Sequence, residues 1–112
     1  ADATEEQRFF EIKAQWNTAL SGAVAFAQSP AGQARPEVIR KMQAVAIRVG
    51  VVVTDLDIAL CNIGTPTATD PAPPPSVDCV PLSGDAKSRR LAFVSRVLLV
   101  AIPEITALFA SR

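Results

Sequence analysis

Residues 36–62 read PEVIRKMQAVAIRVGVVVTDLDIALCN, and this stretch decides the fold class that we predict. It opens on a proline, which loses no hydrogen bond at the first position of a helix. Apolar residues then recur at steps of three and four, the period of an α-helix. They are Ile39, Met42, Ala46, Val49, Val53, Leu56 and Leu60. The β-branched run from Val51 to Thr54 would also suit a strand, but the long helical period outweighs it. We therefore predict a helix over about residues 36–62.

This predicted helix is apolar around most of its circumference. A second apolar row runs beside the first, and further apolar residues fall on the far side among charged ones. The far-side residues are Ile47, Val51 and Ile58. A helix that is apolar nearly all round is usually buried on nearly all sides. The pattern therefore indicates more contacts than a small helical monomer offers.

A first helix is predicted over about residues 4–28. Thr4 and Gln7 have the spacing of a capping box, and apolar residues follow at helical steps until Ser29-Pro30 breaks the pattern. Its second half contains a row of small residues: Ala19, Ala23 and Ala27. Such a row lets a neighbouring helix approach closely, although the high helix propensity of alanine explains it equally well.

A third helix is predicted over about residues 85–110, with its main apolar stripe running from Leu91 to Phe109. Pro103 lies inside this pattern and removes one backbone hydrogen bond, so we expect a kink near it. Three helices joined by one short and one long connection predict an all-α, three-helix antiparallel bundle. At 112 residues the chain is long enough for one such domain, over residues 1–112, and too short for two.

The two cysteines, Cys61 and Cys79, flank a proline-rich stretch that we assign to an interhelical loop over residues 64–84. A disulfide between them would stabilise the fold by about 3 kcal/mol in the chain-entropy model. Two free buried thiols are the alternative. A metal or redox site is not expected, because the pair lacks further Cys or His ligands and the Cys-x-x-Cys spacing. We predict a disulfide-clipped loop and, from it, a secreted, periplasmic or virion location.

The chain carries eleven cationic and eleven anionic side chains, so its formal net charge is zero. Nucleic-acid-binding domains usually carry a basic excess, so no nucleic-acid partner is expected. Histidine, the commonest general base and metal ligand, is absent, and the sequence has no glycine-rich phosphate loop. We therefore predict a protein that is not an enzyme and that holds no cofactor or metal.

Asp57 falls close to the apolar stripe of the second helix, where a carboxylate needs a partner. We predict a buried ion pair between Asp57 and Arg96 of the third helix, a contact that would aid specificity more than stability. Asp55 lies only two residues away, but the helical rotation of about 100° per residue turns the two carboxylates about 200° apart. They are therefore not expected to share one ion.

No segment contains the roughly 20 consecutive apolar residues that cross a bilayer. The most apolar run, Val97–Ile102, is bounded by Arg96 and Glu104, so no membrane span is expected. The chain begins Ala-Asp-Ala-Thr, which fits both a mature secreted protein and a chain that has lost its initiator methionine.

The surplus of apolar surface on the second and third helices carries the functional prediction. In one reading the third helix is central and shielded within a compact fold; in the other its outer face packs on another subunit. We favour the second reading, and the candidate interface residues are Val51, Ile58, Phe93, Val97 and Val100. The predicted function is a structural subunit of a homo-oligomer or larger assembly, for example a virion or extracellular complex. The alternative is a small secreted or periplasmic binding protein with an apolar ligand groove.

Overall fold

A computed structural model describes residues 3–61 and 79–110. These residues form four helices: α1 (Ala3–Gln28), α2 (Pro30–Gln33), α3 (Pro36–Ala59) and α4 (Gly84–Ala110). About 89% of the described residues are helical and none of them is in a strand, so the all-α class is confirmed. α3 ends three residues earlier than predicted. Residues 62–78, which include most of the predicted proline-rich loop, lie outside the described residues.

The short helix α2 was not predicted; the sequence pattern indicated only a break there. Ser29 caps it, because its Oγ accepts a hydrogen bond from the Gly32 N–H at 3.1 Å and donates one to the Phe26 carbonyl at 2.6 Å. Pro30 follows the cap, in the first turn, where a proline costs no helical hydrogen bond. This one-turn helix joins α1 to α3 at a sharp corner.

α4 packs along both α1 and α3, whereas α1 and α3 contact each other at only a few positions. Lys87, in the first turn of α4, forms an ion pair with Glu6 near the start of α1. Phe109, in the last turn of α4, lies against Gly22 in the second half of α1. α1 and α4 therefore run in the same direction.

α3 runs opposite to α4. Arg48, midway along α3, pairs with Glu104 near the end of α4. At the other end, the N–H of Leu82, just before α4, donates to the carbonyl of Ala59 at 3.0 Å. α4 thus packs against α1 on one flank and against α3 on the other.

The core is formed by apolar residues of α1, α3 and α4. They are Phe9, Ile12, Trp16, Ala19, Ala23, Met42, Val45, Val49, Leu56, Leu91, Val94, Leu98, Ala101 and Ile105. Burial of each large member stabilises the fold by about 1.5–3 kcal/mol before the entropy of ordering is subtracted. No polar or charged side chain in the described ranges is buried. Among the described residues the core is therefore formed by apolar side chains.

Pro103 lies within α4, which runs without interruption from Gly84 to Ala110. The proline is exposed, on the side of the helix away from the core. The helix therefore does not stop and restart at this position. The kink near Pro103 stays a prediction.

Cys61 and Cys79 form a disulfide, as predicted, with their Cα atoms 6.0 Å apart. Cys61 directly follows the C-cap residue Leu60 and has a φ of 60°, in the left-handed region that favours glycine. Its N–H donates to the carbonyl of Ile58 at 3.1 Å. The disulfide therefore ties the end of α3 to the segment that leads into α4, and it indicates an oxidising environment.

Candidate functional site

The outer face of α3 carries the clearest unpartnered apolar surface in the described part of the chain. Ile47, Val51 and Ile58 expose 68%, 57% and 62% of their surface. Since each helical residue turns by about 100°, these three side chains project within about 40° of one another. Ala44 and Thr54, both exposed, lie on the same face. We call these five residues the α3 outer stripe.

The α3 outer stripe lies opposite the core face of the same helix. Leu56 and Val49, which are 1% exposed, project about 160–180° from Ile47. α1 and α4 pack on the core face and cannot also cover the stripe. α3 is therefore apolar on two opposite faces, of which one is buried within the chain.

A shallow depression of about 420 Å³ borders the stripe. It lies at Gly50, which is exposed, and its wall includes Asp55. A Cβ atom added to Gly50 would meet no other atom within 4 Å. The packing of residues 3–61 and 79–110 therefore provides no reason for a glycine at this position.

The outer face of α4 carries a second group of exposed apolar residues, which includes Phe93, Leu99 and Val100. Val97 differs from these, because it is half-buried and packs against the core. Of the five predicted interface residues, the structure thus leaves four exposed and places Val97 largely within the fold. Ile47 was not among the predicted interface residues. Its position on the far side of the helix from the main apolar row was the sequence signal that could have identified it.

By length and composition, α4 is the one helix among the described residues that could cross a membrane. Its most apolar window of 18 residues has a mean hydropathy of 1.9, and 28% of that window is buried in the fold. A core helix of a soluble protein can meet the same criteria. The uninterrupted apolar run between Arg96 and Glu104 is much shorter than this window. The expectation of no membrane span stays a prediction.

An apolar groove of about 240 Å³ lies between the second half of α1 and the first half of α3. The small side chains of Ala23, Ala27 and Ala46 leave this space open. Aliphatic side chains form most of the remaining wall, and Gln28 and Gln43 are its polar residues. Of the alanine row of the first helix, Ala19 and Ala23 are therefore buried, and Ala23 and Ala27 line the groove.

The predicted buried ion pair between Asp57 and Arg96 is wrong. Asp57 is half-buried on α3 and Arg96 is exposed on α4. Arg96 lines a groove between α4 and α1, together with Arg8, whereas Asp57 belongs to the helix on the other flank of α4. The ion pairs that the structure shows among the described residues are Glu6–Lys87 and Arg48–Glu104. The spacing along each helix did not show which flank of α4 would face α3.

Within residues 3–61 and 79–110, no three His, Cys, Asp or Glu side chains come together in a way that could hold a metal ion. The surface of the described residues therefore offers apolar contact area bordered by scattered charges.

Comparison with models of known protein families, with curated proteins and with solved structures finds no match to this chain.

Proposed function

We propose that this chain is a non-enzymatic helical subunit that associates with protein through an apolar helix face. The observation that carries the proposal is the α3 outer stripe. Single exposed apolar residues are normal on protein surfaces, but contiguous apolar patches usually mark an interaction site. Ile47, Val51 and Ile58 lie on one face over about three helical turns, with Thr54 between Val51 and Ile58. The absence of histidine from the sequence is consistent with a role other than catalysis.

The proposed setting is a secreted, periplasmic or virion assembly. A disulfide persists in oxidising compartments and is rare in the cytosol, which supports this setting. The proposed architecture is a three-helix antiparallel bundle, kinked near Pro103, in which α2 serves as the corner between the first two long helices. In this arrangement α4 is the central helix and α3 presents its outer face to the partner.

The mass of the protein in solution tests this proposal. We expect the oxidised chain to sediment above its monomer mass of 11.8 kDa at micromolar concentration. Val51→Glu should lower the sedimenting mass, because burying an unpaired carboxylate in an apolar contact is costly. Val80→Glu is the matched control, since Val80 is exposed and lies outside the stripe. A wild-type chain that stays monomeric, or equal behaviour of the two variants, would contradict the proposal.

A second candidate function is the binding of a small apolar ligand. The apolar groove between α1 and α3 favours it, because ligand sites are mostly apolar concavities with few polar groups. Ala46→Leu would fill this groove from the α3 side. A wild-type monomer that enhances the fluorescence of an apolar dye, with loss of the signal in Ala46→Leu, would favour this function over assembly.

A further inference from the structure

We infer that the partner of the α3 outer stripe is a second copy of this chain, with the two α3 helices antiparallel across a two-fold axis. Arg40 of each copy then lies opposite Asp55 of the other. This inference rests on the proposed function, since it names the partner of that same surface.

Arg40 and Asp55 flank the central part of the stripe, which contains Ala44, Ile47 and Val51, and Ile58 lies beyond Asp55. Both charged residues are exposed, and they project about 20° and 80° from the direction of Ile47, on the same face of α3. They are 15 residues apart, which is about 22 Å along the helix, so they cannot pair within one chain. Neither belongs to the ion pairs found among the described residues.

The positions of these two charges set the direction of pairing. If two α3 helices packed in parallel, Arg40 would meet Arg40 and Asp55 would meet Asp55, and like charges would repel. In the antiparallel arrangement each arginine meets an aspartate, and the helix dipoles are also opposed. A heterologous partner would have no reason to match this distribution, whereas a second copy matches it by symmetry.

The same charges set the register. Arg40 and Asp55 are equally distant from a point between residues 47 and 48, so the axis passes beside Ile47. In this register Ala44 of one copy faces Val51 of the other, a small residue against a larger one. Ala44, Ile47 and Val51 then meet at the centre of the contact, between the two Arg40–Asp55 pairs, as apolar residues usually do in an interface. Ile58 lies outside this centre, opposite Glu37 of the other copy, and Arg48 lies beside the axis in its ion pair with Glu104 of its own chain.

Gly50 lies within one turn of this axis. A glycine in a helix interior is less favourable than alanine by about 1 kcal/mol, and among the described residues no neighbouring atom lies within 4 Å of a Cβ atom added there. An antiparallel second copy brings its own Ile47 to the depression at Gly50. The dimer therefore supplies a packing reason for this glycine that the described residues of one chain do not supply.

The experiment uses the oxidised full chain in four forms: wild type, Arg40→Asp, Asp55→Arg and the double swap Arg40→Asp/Asp55→Arg. Dimer dissociation constants are measured by sedimentation equilibrium, with circular dichroism as the check on folding. Each single variant places two like-charge contacts across the axis, and we expect it to dimerise about tenfold more weakly or worse. The double swap restores both contacts, and we expect a dissociation constant within about threefold of wild type.

Mixing the two single variants gives the sharpest test. A heterodimer of Arg40→Asp with Asp55→Arg has two opposite-charge contacts, so the equimolar mixture should dimerise although neither component does so well alone. Association that is unaffected by the single variants, or weakened without rescue in the mixture, would overturn the inference and leave the proposed assembly function in place. A wild-type chain that stays monomeric, whether or not it co-sediments with phosphatidylcholine vesicles, would overturn both.

Discussion

The ring of Phe109, in the last turn of α4, lies against Gly22 of α1 so closely that a Cβ atom added to Gly22 would be 2.8 Å from Phe109 Cζ. The next nearest ring atom, Cε1, would be 3.1 Å away. Real Cβ atoms essentially never approach another heavy atom so closely, so the ring would have to shift. The glycine in the second half of α1 therefore has a packing role, which is to admit an aromatic ring from α4.

The first prediction is that Gly22→Ala depends on the ring of Phe109. Alanine gains about 1 kcal/mol of helix propensity over glycine, but it crowds the ring, and overpacking usually costs about 1–3 kcal/mol. We expect Gly22→Ala to be at least about 1 kcal/mol more favourable in a Phe109→Leu background than in the wild type. Urea unfolding of the four chains, followed by circular dichroism, gives this coupling energy.

Gly50→Ala is the matched control for that cycle. Gly50 is also inside a helix, but an added Cβ atom there meets nothing within 4 Å. We expect Gly50→Ala to raise the free energy of unfolding by about 0.5–1 kcal/mol in dilute protein, with no coupling to Phe109→Leu. If the two alanine substitutions behaved alike, the close approach of Phe109 to α1 would be contradicted.

The second prediction concerns the corner at α2. A Cβ atom at Gly32 would lie 1.9 Å from the carbonyl oxygen of Phe26 and 2.7 Å from its carbonyl carbon. Both are backbone atoms, which cannot turn away as a side chain can. We expect Gly32→Ala to lower the free energy of unfolding by about 2–4 kcal/mol. Ala31→Ser, on the exposed side of the same helix, should change it by less than about 0.5 kcal/mol. If Gly32→Ala lowered the free energy of unfolding by less than about 0.5 kcal/mol, the backbone at this corner would be shown to relax freely.

The third prediction separates the two roles of Cys61, which are to hold the disulfide and to occupy a left-handed backbone position. Replacing both cysteines by alanine removes the cross-link and should lower stability by about 3 kcal/mol. Cys61→Gly/Cys79→Ala removes the same cross-link but relieves the positive φ, which costs a residue other than glycine about 1–2 kcal/mol.

We therefore expect the glycine variant to be the more stable of the two double variants by about 1 kcal/mol, although glycine also gives the unfolded chain more freedom. Urea unfolding without reductant provides the comparison, and reduced wild-type protein should resemble the alanine variant. Equal stability of the two double variants would indicate that the backbone at residue 61 leaves the left-handed region once the disulfide is removed.

The spacing of apolar residues predicted α3 and the exposure of Val51 and Ile58, because helical rotation alone decides which residues share a face. The set of residues that share a face is the same whatever the helix packs against. The one-turn helix α2 was missed although Ser29-Pro30 is an ordinary helix start, with a capping serine before a proline. Four residues are too few for periodicity to show, so only the capping chemistry could have revealed it.

The ion pair between Asp57 and Arg96 failed for a different reason. Each residue was placed correctly on its own helix, but the rotation of one helix relative to its neighbour depends on how the core side chains interdigitate. Arg96 faces the α1 side of α4 as a result, away from α3. Contacts between helices therefore needed the structure, whereas positions on one helix did not.

The fourth prediction compares the two ion pairs that the structure does contain. The side chains of Glu6 and Lys87 are 39% and 27% exposed, whereas those of Glu104 and Arg48 are 43% and 55% exposed. Exposed pairs contribute about 0–1 kcal/mol, because water screens the charges and ordering two long side chains is unfavourable. We expect double-mutant cycles with Glu→Gln and Lys or Arg→Met to give the larger coupling energy, about 0.5–1 kcal/mol, for Glu6–Lys87. The coupling for Arg48–Glu104 should be smaller and should disappear in 1 M NaCl, where the Debye length falls to about 3 Å. A larger coupling for Arg48–Glu104 would mean that α3 and α4 are joined at that point by more than a solvated contact, and it would contradict this prediction.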